Sequence, residues 1–227
     1  MPEWLSYTLS DFMMFSRDTY FRLFELQNRA VWPWQLAVLA VAAALPWLAL
    51  RGGLSAGRLI AATLAGLWLV CAWSFHLGYY ASINLAAPLF AGCFGLQALL
   101  LVWVGAVRGR VVANRQTPVR KAVGLGLLLF ALVGYPLLAP LAGRPWLEAE
   151  VAGLAPDPTA AATLALAPLS RRPPWLLLVV PAVWSLVSGA SLWTMGAPGA
   201  LLLPGIAVVA LAAATLRRRP EEDGRES

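Results

Sequence analysis

Apolar runs of about the length that crosses a bilayer recur along this chain, and they decide its class before any motif does. A transmembrane helix needs roughly 20 mostly apolar residues. The sequence offers such runs repeatedly, separated by short basic connections. Of its 227 residues, 60% are hydrophobic and only 12% charged, too few charges to cover the surface of a soluble domain of this size. The mean hydropathy of +0.70 agrees. A membrane β-barrel would instead show short alternating strands with a polar lumen face. The expectation is an all-α integral membrane bundle.

Seven spans can be read, and with them three regions. Residues 1–32 are too polar to cross. Residues 33–216 form the transmembrane bundle. Residues 217–227 form a charged tail. The spans read as 33–50, 59–80, 84–107, 122–142, one within 151–170, 175–194 and 198–216.

The basic residues sort by connection. Arg51 and Arg58 lie in the first, five residues from Arg108 to Lys121 in the third, Arg171 and Arg172 in the fifth, and Arg217, Arg218, Arg219 and Arg225 in the tail. The second and sixth connections hold none. Lys/Arg excess marks the cytoplasmic side. Seven spans therefore place the N-terminus outside and the C-terminus in the cytoplasm of a bacterial inner membrane. Six would put Arg171, Arg172 and the tail on the wrong side. The net charge of +6 is an orientation signal on this reading, and no nucleic-acid partner is expected.

Within 1–32, Asp18, Arg22, Glu25 and Arg29 are spaced four, three and four apart, which supports a helix. Ser16 suits its N-cap. Phe21, Phe24, Leu26 and Trp32 supply apolar surface for an outer amphipathic helix that anchors or covers the bundle. Trp4, Tyr7, Phe12 and Phe15 suggest a second interfacial piece. Most of the other tryptophans fall near span ends, as an aromatic belt requires.

The stretch "EAEVAGLAPDPTAAATLALAPLSRR" (148–172) interrupts the pattern with acids and prolines. Asp157 followed by Pro158 has the order of an N-cap and a first helical residue. A helix from Pro158 to Ser170 would be about 20 Å long, short of a core about 30 Å thick. Two readings follow. One is a half-helix whose buried start lines an outward cavity with Asp157 at its floor, as broken spans do in transporters. The other is a full helix from about Glu150, kinked by Pro156 and Pro158.

Other polar residues within the runs are few. His76 is the only histidine, and at 100° per residue it shares a face with Trp73 and Tyr80. It reads as an interfacial histidine or as a proton-accepting contact. Gln97 reads as helix glue, and Ser185-x-x-x-Gly189 as a site of close helix approach. Cys71 and Cys93 lie at similar depth and read as small apolar fillers. No metal, haem or redox motif is present, and no P-loop, GxSxG, HExxH or dinucleotide fingerprint. Neither a catalytic residue nor a cofactor is expected, and the chain does not read as an enzyme.

Three stretches carry a resemblance: "WLSYTLSDFMMFSRDTYFRLFELQNRAVWPWQ", "FHLGYYASINLAAPLFAGCFGLQALLL" and "AGLAPDPTAAATLAL". Together they resemble an uncharacterised family of bacterial multi-pass membrane proteins, over nearly the whole chain. The resemblance implies location and topology. It also implies that a cysteine often stands in relatives at position 157. The paired prolines and Thr159 would then carry the motif, with no metal–thiolate role at Asp157.

Two functions remain open. The first is a small transporter or channel-like protein whose solute or ion meets Asp157, Thr159, His76, Tyr80 and Glu150 in an outward cavity. The second is a non-catalytic membrane subunit or sensor, packed against a partner membrane protein or a second copy. The lipid bilayer is a partner on either reading.

Overall fold

The computed structural model describes residues 15–111 and 117–216. The second interfacial piece at Trp4, Tyr7 and Phe12, and the basic tail, lie outside these residues. Ten α-helices are present among the described residues, with no β-strand. α1 is Arg17–Val31, α2 Gln35–Arg51 and α3 Gly53–Cys71. α4 is Ala87–Leu100, α5 Pro118–Leu129 and α6 Tyr135–Leu141. α7 is Pro156–Leu164, α8 Leu166–Leu169, α9 Trp175–Thr194 and α10 Leu202–Thr215. Wide π-turns extend α3 (Ala72–Leu77) and α4 (Leu101–Val107), and another joins α5 to α6 (Phe130–Gly134).

Four helical units are long and apolar enough to cross a membrane: Gly53–Ser82, Ala87–Val107, Pro118–Leu141 and Trp175–Thr194. A fifth arises if α1 and α2, bent by 103° where they meet, count as one. Seven full spans are not reached. α10 has 14 residues, about 21 Å, and α7 has 9, about 14 Å. The apolar character of 151–170 and 198–216 does not amount to crossing length in helix. The turn at 198–201 and the irregular backbone before Pro156 use up the remainder.

α1 forms as expected. Ser16 accepts from the Thr19 backbone N–H, and Glu25 pairs with Arg29 at 2.7 Å. Its inward face is broader than the apolar stripe suggested. Tyr20, Phe21, Leu23 and Phe24 are buried together with Gln27 and Asn28, whereas Leu26 and Trp32 point outward. Phe24 stacks on Phe75 with centroids 4.8 Å apart. α1 therefore lies across the bundle end and covers it.

The core is organised around the interrupted stretch. Every residue from 149 to 170 is buried. α7 is enclosed by α3, α5, α9 and α10. Its sequence, PDPTAAATL, is made of small residues, and the polar Asp157, Thr159 and Thr163 are hydrogen-bonded within the protein, which suits a helix with no lipid-facing surface. Irregular backbone at membrane depth persists where protein covers it. α9 meets α10 closely at Gly189, where a Cβ would lie 2.7 Å from Pro204 Cγ. Gln97 Nε2 donates to the Leu177 carbonyl at 2.9 Å and ties α4 to α9. The expected glue and close-approach roles thus have their partners.

Candidate functional site

The site grows from the loop before α7. Val151 O accepts from Leu154 N and Ala155 N, which closes a tight turn. Gly153 sits in this turn at φ +89, where a Cβ would run into Leu67 and Val38. Its N–H donates to Thr159 Oγ1 at 2.7 Å, and that hydroxyl donates to Ala155 O at 2.7 Å. Thr159 is thus the lock that folds the loop onto the first turn of α7. α1 holds the same loop from outside. Gln27 Nε2 donates to Leu154 O at 3.1 Å, and Asn28 Nδ2 donates to Leu147 O and Ala149 O at 2.8 and 3.0 Å.

The helix starts at Pro156, so this is a half-helix and not a kinked full one. Its N-cap is Ala155, in extended conformation. Asp157 is therefore not the N-cap. It lies in the first turn, and its side chain turns away from its own backbone. Oδ1 accepts from Trp184 Nε1 at 2.9 Å, and Oδ2 accepts from Ser188 Oγ at 2.7 Å. Both donors sit on α9, four residues apart, which places them on one face. Asp157 is 2% exposed.

A half-open cavity of about 300 Å³ reaches this carboxylate. Phe21, Tyr135, Arg144, Glu150, Asp157 and Leu202 are among its walls. A smaller cavity of about 200 Å³ shares Phe21, Ala142, Arg144 and Pro198 with it and opens beside Arg17, Asp18 and Glu148. These two adjoining cavities make up a vestibule, and Arg144 lines both. The Arg144 guanidinium lies 3.7 Å from the Phe21 ring centroid, 3.5 Å from Glu150 and 3.8 Å from Glu148. One cation thus faces Glu148 and Glu150, while Asp157 deeper in has only neutral donors. Burial first, then the nearby Asp157 carboxylate, pushes the Glu150 carboxyl above its ordinary range, and Arg144 opposes the rise. Glu148 moves the same way, chiefly through burial.

The five expected site residues divide. Asp157 and Glu150 line the cavity. Thr159 does not, because its hydroxyl is spent on the loop lock. His76 and Tyr80 are buried and are not among its walls. His76 is not interfacial. The π-turn over Ala72–Leu77 breaks the count of 100° per residue, so Trp73 points out at 76% exposed and His76 points in at 0%. Its ring lies edge-on to Phe94 and Trp184, with centroids 4.4 and 5.2 Å away. Neither ring nitrogen has a hydrogen-bond partner. Trp184 thus separates His76 from Asp157. Tyr80 packs 6.0 Å from His76 and 5.7 Å from Tyr20. Cys71 and Cys93 are both free, the first buried and the second exposed.

Sequence reasoning missed Arg144, Tyr135, Trp184 and Ser188. Arg144 had one visible signal, being the lone basic residue just before Glu148 and Glu150. The other three lie in apolar runs with nothing to single them out. Among the described residues no group of three His, Cys, Asp or Glu could hold a metal ion.

Residues 17–224 match the model of a family of unknown function, DUF6064, and the chain belongs to that family. No curated protein and no solved structure matches it.

Proposed function

We propose that this chain is a small multi-pass transporter or channel-like protein of the bacterial inner membrane. Its outward vestibule takes a small cation or protonated solute at Asp157. The observation that carries the reading is the placement of Asp157, buried at the start of an enclosed half-helix and yet a wall of a cavity. Broken spans of this kind build solute sites near mid-membrane. An ionisable residue at such depth is a functional candidate by default. The charge balance favours a cation, since Glu148, Glu150 and Asp157 outnumber Arg144. The half-helix N-terminus would by itself attract an anion, but Asp157 already occupies its first turn.

Topology follows the charges. The face with Arg144 and the acids is outside, and the face with Arg110, Arg171 and Arg172 is cytoplasmic. Seven membrane-embedded segments remain compatible with this, α7–α8 being an enclosed short one.

The test is flux. The full chain in proteoliposomes is given proton, sodium and potassium gradients and read with entrapped indicators. The reading expects a flux above that of empty vesicles for one of these ions, and a loss of at least tenfold in Asp157→Asn. Flux for none of them would favour the alternative, a non-catalytic subunit or sensor that needs a partner.

A further inference from the structure

The ion pairs among the described residues involve Arg17, Arg29 and Arg144, all at the vestibule end. The opposite end of Pro118–Leu141, about 36 Å away by its 24 residues, is basic and has no Asp or Glu among the described residues. Several arginines there have other partners. Arg58 donates to Val107 O at 3.4 Å, and Arg51 and Arg108 lie over Trp47 and Trp103. Among the described residues Arg110, Arg171 and Arg172 have no such partner, and all three line one cavity of about 510 Å³.

The local structure fixes two of them. Arg120 Nη2 donates to Ser170 O at 2.7 Å and to Ala167 O at 3.3 Å, which holds the chain leaving α8. Pro173 and Pro174 follow at once and stiffen it. Arg171 and Arg172 therefore project from a braced loop. The other wall is apolar: Trp175 and Leu176 are 51% and 55% exposed at the start of α9. A site with guanidinium groups on one side and lipid-facing apolar side chains on the other fits an amphiphile with an anionic head.

We infer that the Arg110–Arg171–Arg172 cavity binds the phosphate of an anionic phospholipid, with Trp175 and Leu176 against its glycerol and upper chains. Guanidinium forks match phosphate oxygens. Basic pockets between membrane helices on the cytoplasmic side take such headgroups. The volume is within the range of small-molecule sites. The inference rests on the membrane reading and not on transport, so loss of flux activity leaves it intact.

The experiment is native mass spectrometry of the full chain in detergent, titrated with phosphatidylglycerol and, in parallel, with phosphatidylcholine. The expected result is one retained phosphatidylglycerol and no comparable retention of phosphatidylcholine. Each of Arg110→Ala and Arg171→Ala should weaken binding about fivefold, from roughly 1 kcal/mol per basic residue near an anionic headgroup. Arg51→Ala, outside the cavity, should leave it unchanged. All variants are checked for a monodisperse elution peak, and R110K and R171K rescue any that fail, because they keep the charge. Three results would overturn the inference. The first is equal retention of both lipids. The second is full displacement by millimolar inorganic phosphate, which would make this a free-phosphate site. The third is binding that appears only after Glu221→Gln, Glu222→Gln and Asp223→Asn, which would make the acidic tail the occupant.

Discussion

Replacing Thr159 with valine keeps the size and shape of the side chain and removes one hydroxyl. In this structure that hydroxyl is the acceptor for the buried Gly153 N–H, at 2.7 Å. Ala155 O, its other partner, also lies at the N-cap of α7 and keeps access to the helix backbone. The damage is therefore one orphaned N–H, at a cost of about 1–3 kcal/mol. The loss falls on the turn 151–155 and not on the bundle, so it should appear as local opening. The protein carries its own reporter. Cys71 is fully buried beneath the turn, with Sγ 3.7 Å from Leu154 O. A maleimide should reach it only when the turn lifts. Its labelling rate in Thr159→Val should then rise by about 5- to 150-fold over the native chain, the ratio that corresponds to that cost. Cys93 lies on the outer face of the span Ala87–Val107, away from the turn, so its own slow rate should be the same in both chains. Thr159→Ser keeps the hydroxyl and loses a methyl worth about 0.8 kcal/mol, so it should label at most about fourfold faster than the native chain and below valine. If serine and valine label alike, or valine labels no faster than the native chain, the lock does not exist.

Other consequences can be checked in detergent. Gly189→Val should lower the unfolding midpoint by an amount matching about 1–3 kcal/mol of overpacking, since its Cβ would meet Pro204 at 2.7 Å and Ala200 O at 3.1 Å. Gly126→Ala meets nothing within 4 Å and should be neutral or stabilising by up to about 1 kcal/mol, from helix propensity. Glu150 gives a pH signature. Its carboxyl is raised on folding, so the folded chain holds that proton to higher pH than the unfolded chain does. Its contribution to stability is greatest below the ordinary carboxyl value of 4.5 and falls as pH rises toward the raised one. Thermal midpoints should drop between pH 5 and pH 8, and Glu150→Gln should flatten that drop.

Much of this was legible, for identifiable reasons. Ser16, Glu25 and Arg29 obey local helix rules, and local rules survive tertiary context. Gln97 and Gly189 stood out because a polar or small residue in an apolar run needs a neighbour. The Asp-Pro order signals a helix start within the interrupted stretch, and the helix begins two residues earlier, at Pro156. The true cap is a plain alanine, held by Thr159 and Gly153, and that lock is a loop geometry with no sequence code of its own. His76 was placed on the wrong side because a π-turn shifts the phase of a helix without any residue announcing it. Trp184 and Ser188 lie 27 and 31 residues from Asp157, so only the fold could reveal them as its partners. Span number failed for a related reason. Burial inside a bundle and burial in lipid select the same apolar residues, and residues 149–170 are buried by protein.

Water reaching Asp157 from the outer face distinguishes an open vestibule from a sealed core. Cys71 and Cys93 are replaced by alanine, and single cysteines are placed at Asp157, at Glu148 and at Leu164 in intact cells. A membrane-impermeant maleimide is then added from outside. Glu148→Cys, at the vestibule mouth, should label rapidly, and Leu164→Cys, fully buried at the far end of α7, should not. Labelling of Asp157→Cys at a rate near that of Glu148→Cys is the predicted result. A rate no higher than that of Leu164→Cys would mean that Asp157 is sealed in the core, and the vestibule reading would be wrong.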